Sequence, residues 1–138
     1  AMGLLHPLGK IVVDRFCRSQ DLGPGEDVDS DPDWEVKVLH YGHAELASAL
    51  LNNWGFPEKI TVPIRNQNRP LQDEQYPATT ALLHVAIQLI PTFQQSFDPD
   101  ALTQFDPAIL SAATLSGADL EQCVDSSRSR YSEVINML

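Results

Sequence analysis

Few residues in this chain have side chains suited to moving protons, holding a metal or attacking an electrophile. Its histidines are His6, His40, His43 and His84, and its cysteines are Cys17 and Cys123. A zinc site needs three or four ligands from His, Cys, Asp or Glu at compatible spacing, and the chain has no HExxH, no CxxC and no paired histidines. The distant cysteines read as reduced core thiols. His43 falls inside an apolar period, and His84 lies in the most apolar segment of the chain. Both therefore read as hydrogen-bonded core histidines, with Glu45 beside His43 solvated. Asp27, Asp29, Asp31 and Asp33 alternate as in a calcium loop. That loop would put Pro32 where a glycine is needed and Val38 where a bidentate Glu is needed. No Ser-His-Asp set and no phosphate-binding glycine loop is present. The residues alone thus predict no catalytic residue, no metal and no cofactor.

Around these side chains the sequence lays out helices. The stretch from Glu35 to Asn68 organises the rest. Val36, Leu39, His43, Leu46, Leu50 and Trp54 recur every three or four residues and predict one long helix over Pro32–Trp54. Asp31 is placed to cap it, with Pro32 in its first turn. Gly55-Phe56-Pro57 ends that helix and opens another, bent at Pro63, which runs into the polar run Asn66, Gln67 and Asn68. Ahead of this stretch, LLHPLGKIVVDRFC predicts a helix starting near His6, with Leu4, Leu5, Leu8, Ile11, Val12 and Phe16 on its apolar face and Gly9 as a weak point. Residues 21–33 form an acidic surface loop rich in Gly, Pro and Asp. Downstream, Pro77 to Phe93 predicts a helix buried nearly all round, kinked or ended by Pro91. Asp98-Pro99 starts a short turn, and Asp106-Pro107 starts a helix through Ala113. Ser116 and Asp119 form a capping-box start for a last helix carrying Leu120, Val124, Tyr131, Val134 and Leu138. No segment alternates with period two, so the expected fold is all-α, a bundle of about five to six helices.

Of the 138 residues, 43% are hydrophobic and 20% charged, the balance of an ordinary globular protein. The net charge of −10 argues against gripping a phosphate backbone, so no nucleic-acid partner is expected. No apolar run reaches the roughly 18 residues of a membrane span. No signal peptide is evident either, and a cytoplasmic location follows. Ala1 to Gly3 read as the remnant of an expression tag, leaving one domain over residues 4–138.

Three segments then resemble a known family. LLHPLGKIV, the run E-x7-HAELASALLNNWGFPEKITVPIRNQNRP, and ALLHVAIQLI are similar in order and spacing to the HDOD domain, the HD-related output domain of bacterial signalling proteins. Glu35 stands eight residues before His43, and Trp54-Gly55-Phe56-Pro57 looks like the family's W-x-[LF]-P turn. Ala108-Ile109-Leu110 resembles the start of its C-terminal helices. The resemblance spans Leu4 to Leu138 and implies an HD-domain-like fold that lacks the helices ordinarily preceding LLHxxG.

The wider superfamily holds metal through a His, a His-Asp pair and a further Asp. Here His6-Pro7 stands at the His-Asp position, Gln67-Asn68 where many relatives carry two histidines, and Ile87 at the late Asp. The resemblance therefore implies a degenerate site at His6 and His43, with Arg65, Gln67 and Asn68 along its polar edge. It further implies a non-enzymatic regulatory module working through protein or small-ligand contacts. The face left by the missing helices predicts a homodimer. The alternative is a divergent metal-dependent phosphohydrolase.

Overall fold

The computed structural model of the chain describes residues 1–20, 32–94 and 104–137, and every regular element among them is helical. In chain order these are α1 (Met2–Leu5), α2 (Leu8–Ser19), α3 (Pro32–Leu39), α4 (His43–Asn53), α5 (Glu58–Arg65), a 3-10 turn (Pro70–Gln72), α6 (Pro77–Gln94), α7 (Pro107–Ala112) and α8 (Gly117–Asn136). The calcium-like run through Asp31, the Asp31 cap and the Asp98-Pro99 turn lie outside the described residues.

The predicted long helix is two helices. His40 takes a left-handed conformation at φ 61°, Gly42 is extended, and α4 begins afresh at His43. The buried face of α4 is His43, Ala44, Ala47, Ser48 and Leu51. That face is displaced from the expected stripe, since Val36 and Trp54 are both about half exposed. The small residues Ala44, Ala47 and Ser48 let neighbouring backbones come close. Its partner α2 does the same with Gly9, Val13 and Cys17, which are buried while Ile11 and Phe16 face outward. The weak point in the predicted helix is thus its contact point. A Cβ on Gly9 would lie 1.8 Å from the His43 carbonyl oxygen, so only glycine fits there.

Helix α4 ends in a left-handed glycine cap. Gly55 has φ +77°, its N–H donates to Asn52 O at 3.0 Å, and the Phe56 N–H donates to Leu51 O at 3.0 Å. This is the Schellman arrangement, and Phe56 packs on the cluster that holds Leu51. Pro57 then caps α5, so Gly55, Phe56 and Pro57 make the turn while Trp54 stays in solvent.

Among the described residues there are two cores, and α6 joins them. Ala47, Leu51, Ile64 and Leu83 form one, sealed by Met2, Leu5, Leu8, Phe56, Ile60 and Ile87. Val85, Leu89, Leu120 and Val124 form the other, with Phe105, Ile109, Leu110 and Leu115 around it. Full burial of an aliphatic side chain such as Leu51 contributes about 1.5–3 kcal/mol, so α6 ties both halves together. It is not buried all round, because Leu82, Ala86 and Ile90 form an exposed stripe.

The predicted caps of the last helices are present. Asp106 accepts from the Ala108 N–H at 2.8 Å. Ser116 and Asp119 cap each other reciprocally, and the Ser116 hydroxyl and N–H hold the Asp119 carboxyl below its usual range. Cys17 is buried as expected, whereas Cys123 is exposed on α8, whose buried side is Leu120 and Val124.

Candidate functional site

Glu35 and His43 form a buried, doubled polar contact. One carboxylate oxygen of Glu35 accepts from the His43 backbone N–H at 2.6 Å and from the ring Nδ1 at 2.7 Å, and both side chains are buried. A continuous helix would hold residues eight apart about 12 Å from one another along its axis. The break at His40–Gly42 is therefore what lets Glu35 reach the start of α4. The left-handed His40 costs about 1–2 kcal/mol, and the doubled hydrogen bond at Glu35 offsets it. Glu35 also places an anion at the positive end of α4, where it is favoured, and Glu45 accepts from the Gly42 N–H at 3.2 Å.

A carboxylate oxygen only accepts, so Nδ1 carries a proton, and in the neutral form of the ring the lone pair is on Nε2. Nε2 has no hydrogen-bond partner among the described residues. A metal-binding histidine is oriented in this way by a second carboxylate. His6 is one turn ahead of Gly9, the residue seated on the His43 carbonyl, but its own Nδ1 bonds locally to Gly3 O at 2.8 Å. No hydrogen bond joins His6 to His43.

The polar run after α5 is not a single edge. Arg65 and Asn68 are exposed, but Gln67 is turned inward at 2% exposure. Its backbone carbonyl accepts from His84 Nδ1 at 2.7 Å, which ties α6 to the end of α5. Asn66 donates its side-chain amide to Asp73. Asp73 also accepts from the N–H groups of Gln75 and Tyr76 at 2.9 Å each and from the Thr80 hydroxyl. Burial alone pushes the Asp73 carboxyl up, yet the bonds from Thr80, Tyr76, Asn66 and Gln75 outweigh it and hold the group below its ordinary range. Asn66, Gln67, Asp73, Thr80 and His84 thus clasp α5 to the start of α6. The only local signal of the clasp is Asp73 itself, whose carboxylate takes the N–H groups two and three residues on, as aspartate does in an Asx turn.

The HDOD domain family matches residues 1–70, a span that takes in the Glu35–His43 pair and the Trp54–Pro57 turn. The chain belongs to the HDOD family. Comparisons with curated proteins and with solved structures find no match. The matched span ends at Pro70, so the resemblance read along α6 to α8 lies beyond it.

The metal site of the HD superfamily can be tested against these residues. Among the described residues, no three His, Cys, Asp or Glu side chains are gathered so that they could hold an ion. Pro7 caps α2, Gln67 carries a neutral amide that is buried with its Oε1 unpartnered among the described residues, and Ile87 packs on the first core. The described residues gather no set of three protein ligands with an open position, which a hydrolytic metal centre needs.

Proposed function

We propose that this HDOD chain is a non-enzymatic regulatory module of bacterial signalling, cytoplasmic and acting through contacts with other proteins, beginning with a second copy of itself. The observation that carries this reading is the use made of His43. Its Nδ1 and backbone N–H converge on the single Glu35 oxygen that starts α4, and His6 is turned to its own local carbonyl. A side chain used in this way sets helix geometry, and a module whose geometry is fixed there is suited to presenting a surface.

The surface is apolar. Leu4 is 87% exposed, and Ile11, Phe16, Val36 and Tyr41 are each about half exposed or more, on α1, α2, α3 and the turn after α3. Large apolar side chains exposed together are candidates for an interaction site. The expected state is a homodimer closed over α2 and α3, with Arg65 and Asn68 on a separate polar edge. Light scattering at tens of micromolar tests it. The wild type runs at twice the 15.3 kDa chain mass and Ile11→Lys at the chain mass. A monomeric wild type overturns the self-association.

A second reading, a divergent metal-dependent phosphohydrolase, is favoured by one feature, the open Nε2 lone pair of a carboxylate-oriented His43. Under the first reading His43→Ala lowers stability and there is no activity to lose. Turnover of a phosphodiester that His43→Ala abolishes without unfolding the chain would establish the second.

A further inference from the structure

We propose that the groove between α6 and α7 is a binding site for a small organic cation carrying N–H donors beside an apolar or aromatic body, such as an amidinium or guanidinium compound. The groove lies on the second core, away from the Glu35–His43 pair. Its volume is about 360 Å³, and its lining includes His84, Gln88, Phe105, Asp106 and Ile109. That volume is within the range of small-ligand sites, about 300–1,000 Å³.

The chemistry of the lining selects the ligand. His84 Nδ1 faces a backbone carbonyl, which only accepts, so Nδ1 is the donor, and in the neutral form of the ring the lone pair is on Nε2. Asp106 uses Oδ1 to cap α7, and its Oδ2 has no partner among the described residues. The groove is therefore lined by a histidine and a carboxylate that each keep an unfilled acceptor. The Gln88 amide offers a further carbonyl oxygen, while Phe105 and Ile109 supply apolar wall. Among the described residues no Lys or Arg lines it, so an anion would meet the Asp106 carboxylate with no compensating charge from them. A cation with two N–H donors satisfies the carboxylate through charge-assisted hydrogen bonds, and an aromatic body packs on Phe105. The net charge of −10 adds a long-range field of the same sign preference.

The test uses the full chain and three probes of one shape, benzamidine (cation), benzamide (neutral) and benzoate (anion), followed by amide chemical shifts. Benzamidine is expected to saturate in the millimolar range, with shifts centred on residues 84–89 and 104–109, and to bind about tenfold or more tighter than benzamide. Asp106→Asn keeps the helix cap, because Asn caps as well as Asp, while it removes the charge. It should abolish that preference with the melting temperature unchanged. Equal binding of the three probes, shifts centred elsewhere, unaltered benzamidine affinity in Asp106→Asn, or no saturation would each overturn the proposal. Shift mapping on the wild type decides the matter even if the variant is destabilised. The proposal stands or falls independently of self-association through α2 and α3.

Discussion

Gly9→Ala sets two physical effects of opposite sign against each other. In a helix, alanine is favoured over glycine by about 1 kcal/mol, so propensity alone predicts a more stable protein. The structure predicts the reverse. A Cβ at position 9 would lie 1.8 Å from the His43 carbonyl oxygen, 2.6 Å from its carbon and 3.1 Å from Ala47 N. A carbon and an oxygen in contact stay roughly 3.3 Å apart, so α2 and α4 would have to separate by about 1.5 Å along that line. All three atoms are backbone, so no side-chain rotation relieves the clash. Separation would also loosen Val13 and Cys17, which α2 buries on the same face. Overpacking costs of about 1–3 kcal/mol are typical, and the loss of packing adds to them. After the propensity gain, the net loss is about 2 kcal/mol, a fall of roughly 5–10 °C in Tm for a chain of this size. Urea titration followed by helical circular dichroism measures it. Gly117→Ala is the control. Gly117 is helical but has nothing within 4 Å of its would-be Cβ, so this substitution should be neutral or slightly stabilising. A Gly9→Ala protein as stable as the wild type would refute the close α2–α4 crossing.

The remaining predictions concern the polar pairs and the thiols. Glu35→Ala leaves the His43 N–H and Nδ1–H buried without an acceptor and should cost about 2–4 kcal/mol, whereas Glu35→Gln, which keeps an oxygen in place, should cost clearly less by the same titration. Equal losses would show that the shared oxygen is not what matters. The lowered Asp73 carboxyl contributes stability that is complete above its unfolded value of 3.8 and disappears as pH falls through the lower folded value. Wild-type stability should therefore fall more steeply below about pH 4 than that of Asp73→Asn, and identical acid slopes would remove the clasp from the account. With a thiol reagent in native buffer, exposed Cys123 should react at once and buried Cys17 only on unfolding; simultaneous reaction of both would count against the buried face of α2.

Much of this architecture can be read from the sequence, because caps and turns act locally. Ser116 with Asp119, Asp106 with Pro107, and Gly55-Phe56-Pro57 each fix their own neighbourhood, and the structure holds all of them. The faces were harder. Counting large apolar residues turns Leu8, Ile11, Val12 and Phe16 inward on α2; Leu8 does pack on the first core, but Ile11, Val12 and Phe16 are exposed, because the close crossing favours Gly9 and Cys17 on the buried face. The division of the long helix at His40 was hidden for a related reason. Its apolar period runs unbroken through the turn, and the cause of the break is a tertiary bond from Glu35 to His43. Gln67 shows the same limit at the candidate site. Nothing in the run Asn66, Gln67 and Asn68 distinguishes its buried member, since the His84 ring that bonds its carbonyl comes from 17 residues away.

On the proposed reading, His43 serves the fold through Glu35 and does not serve a metal. Metal analysis of the full chain purified without chelator tests it most directly. Well under one equivalent of Mn, Fe, Ni or Zn per chain is expected. One full equivalent that is lost on His43→Ala, in a protein that remains folded, would contradict it.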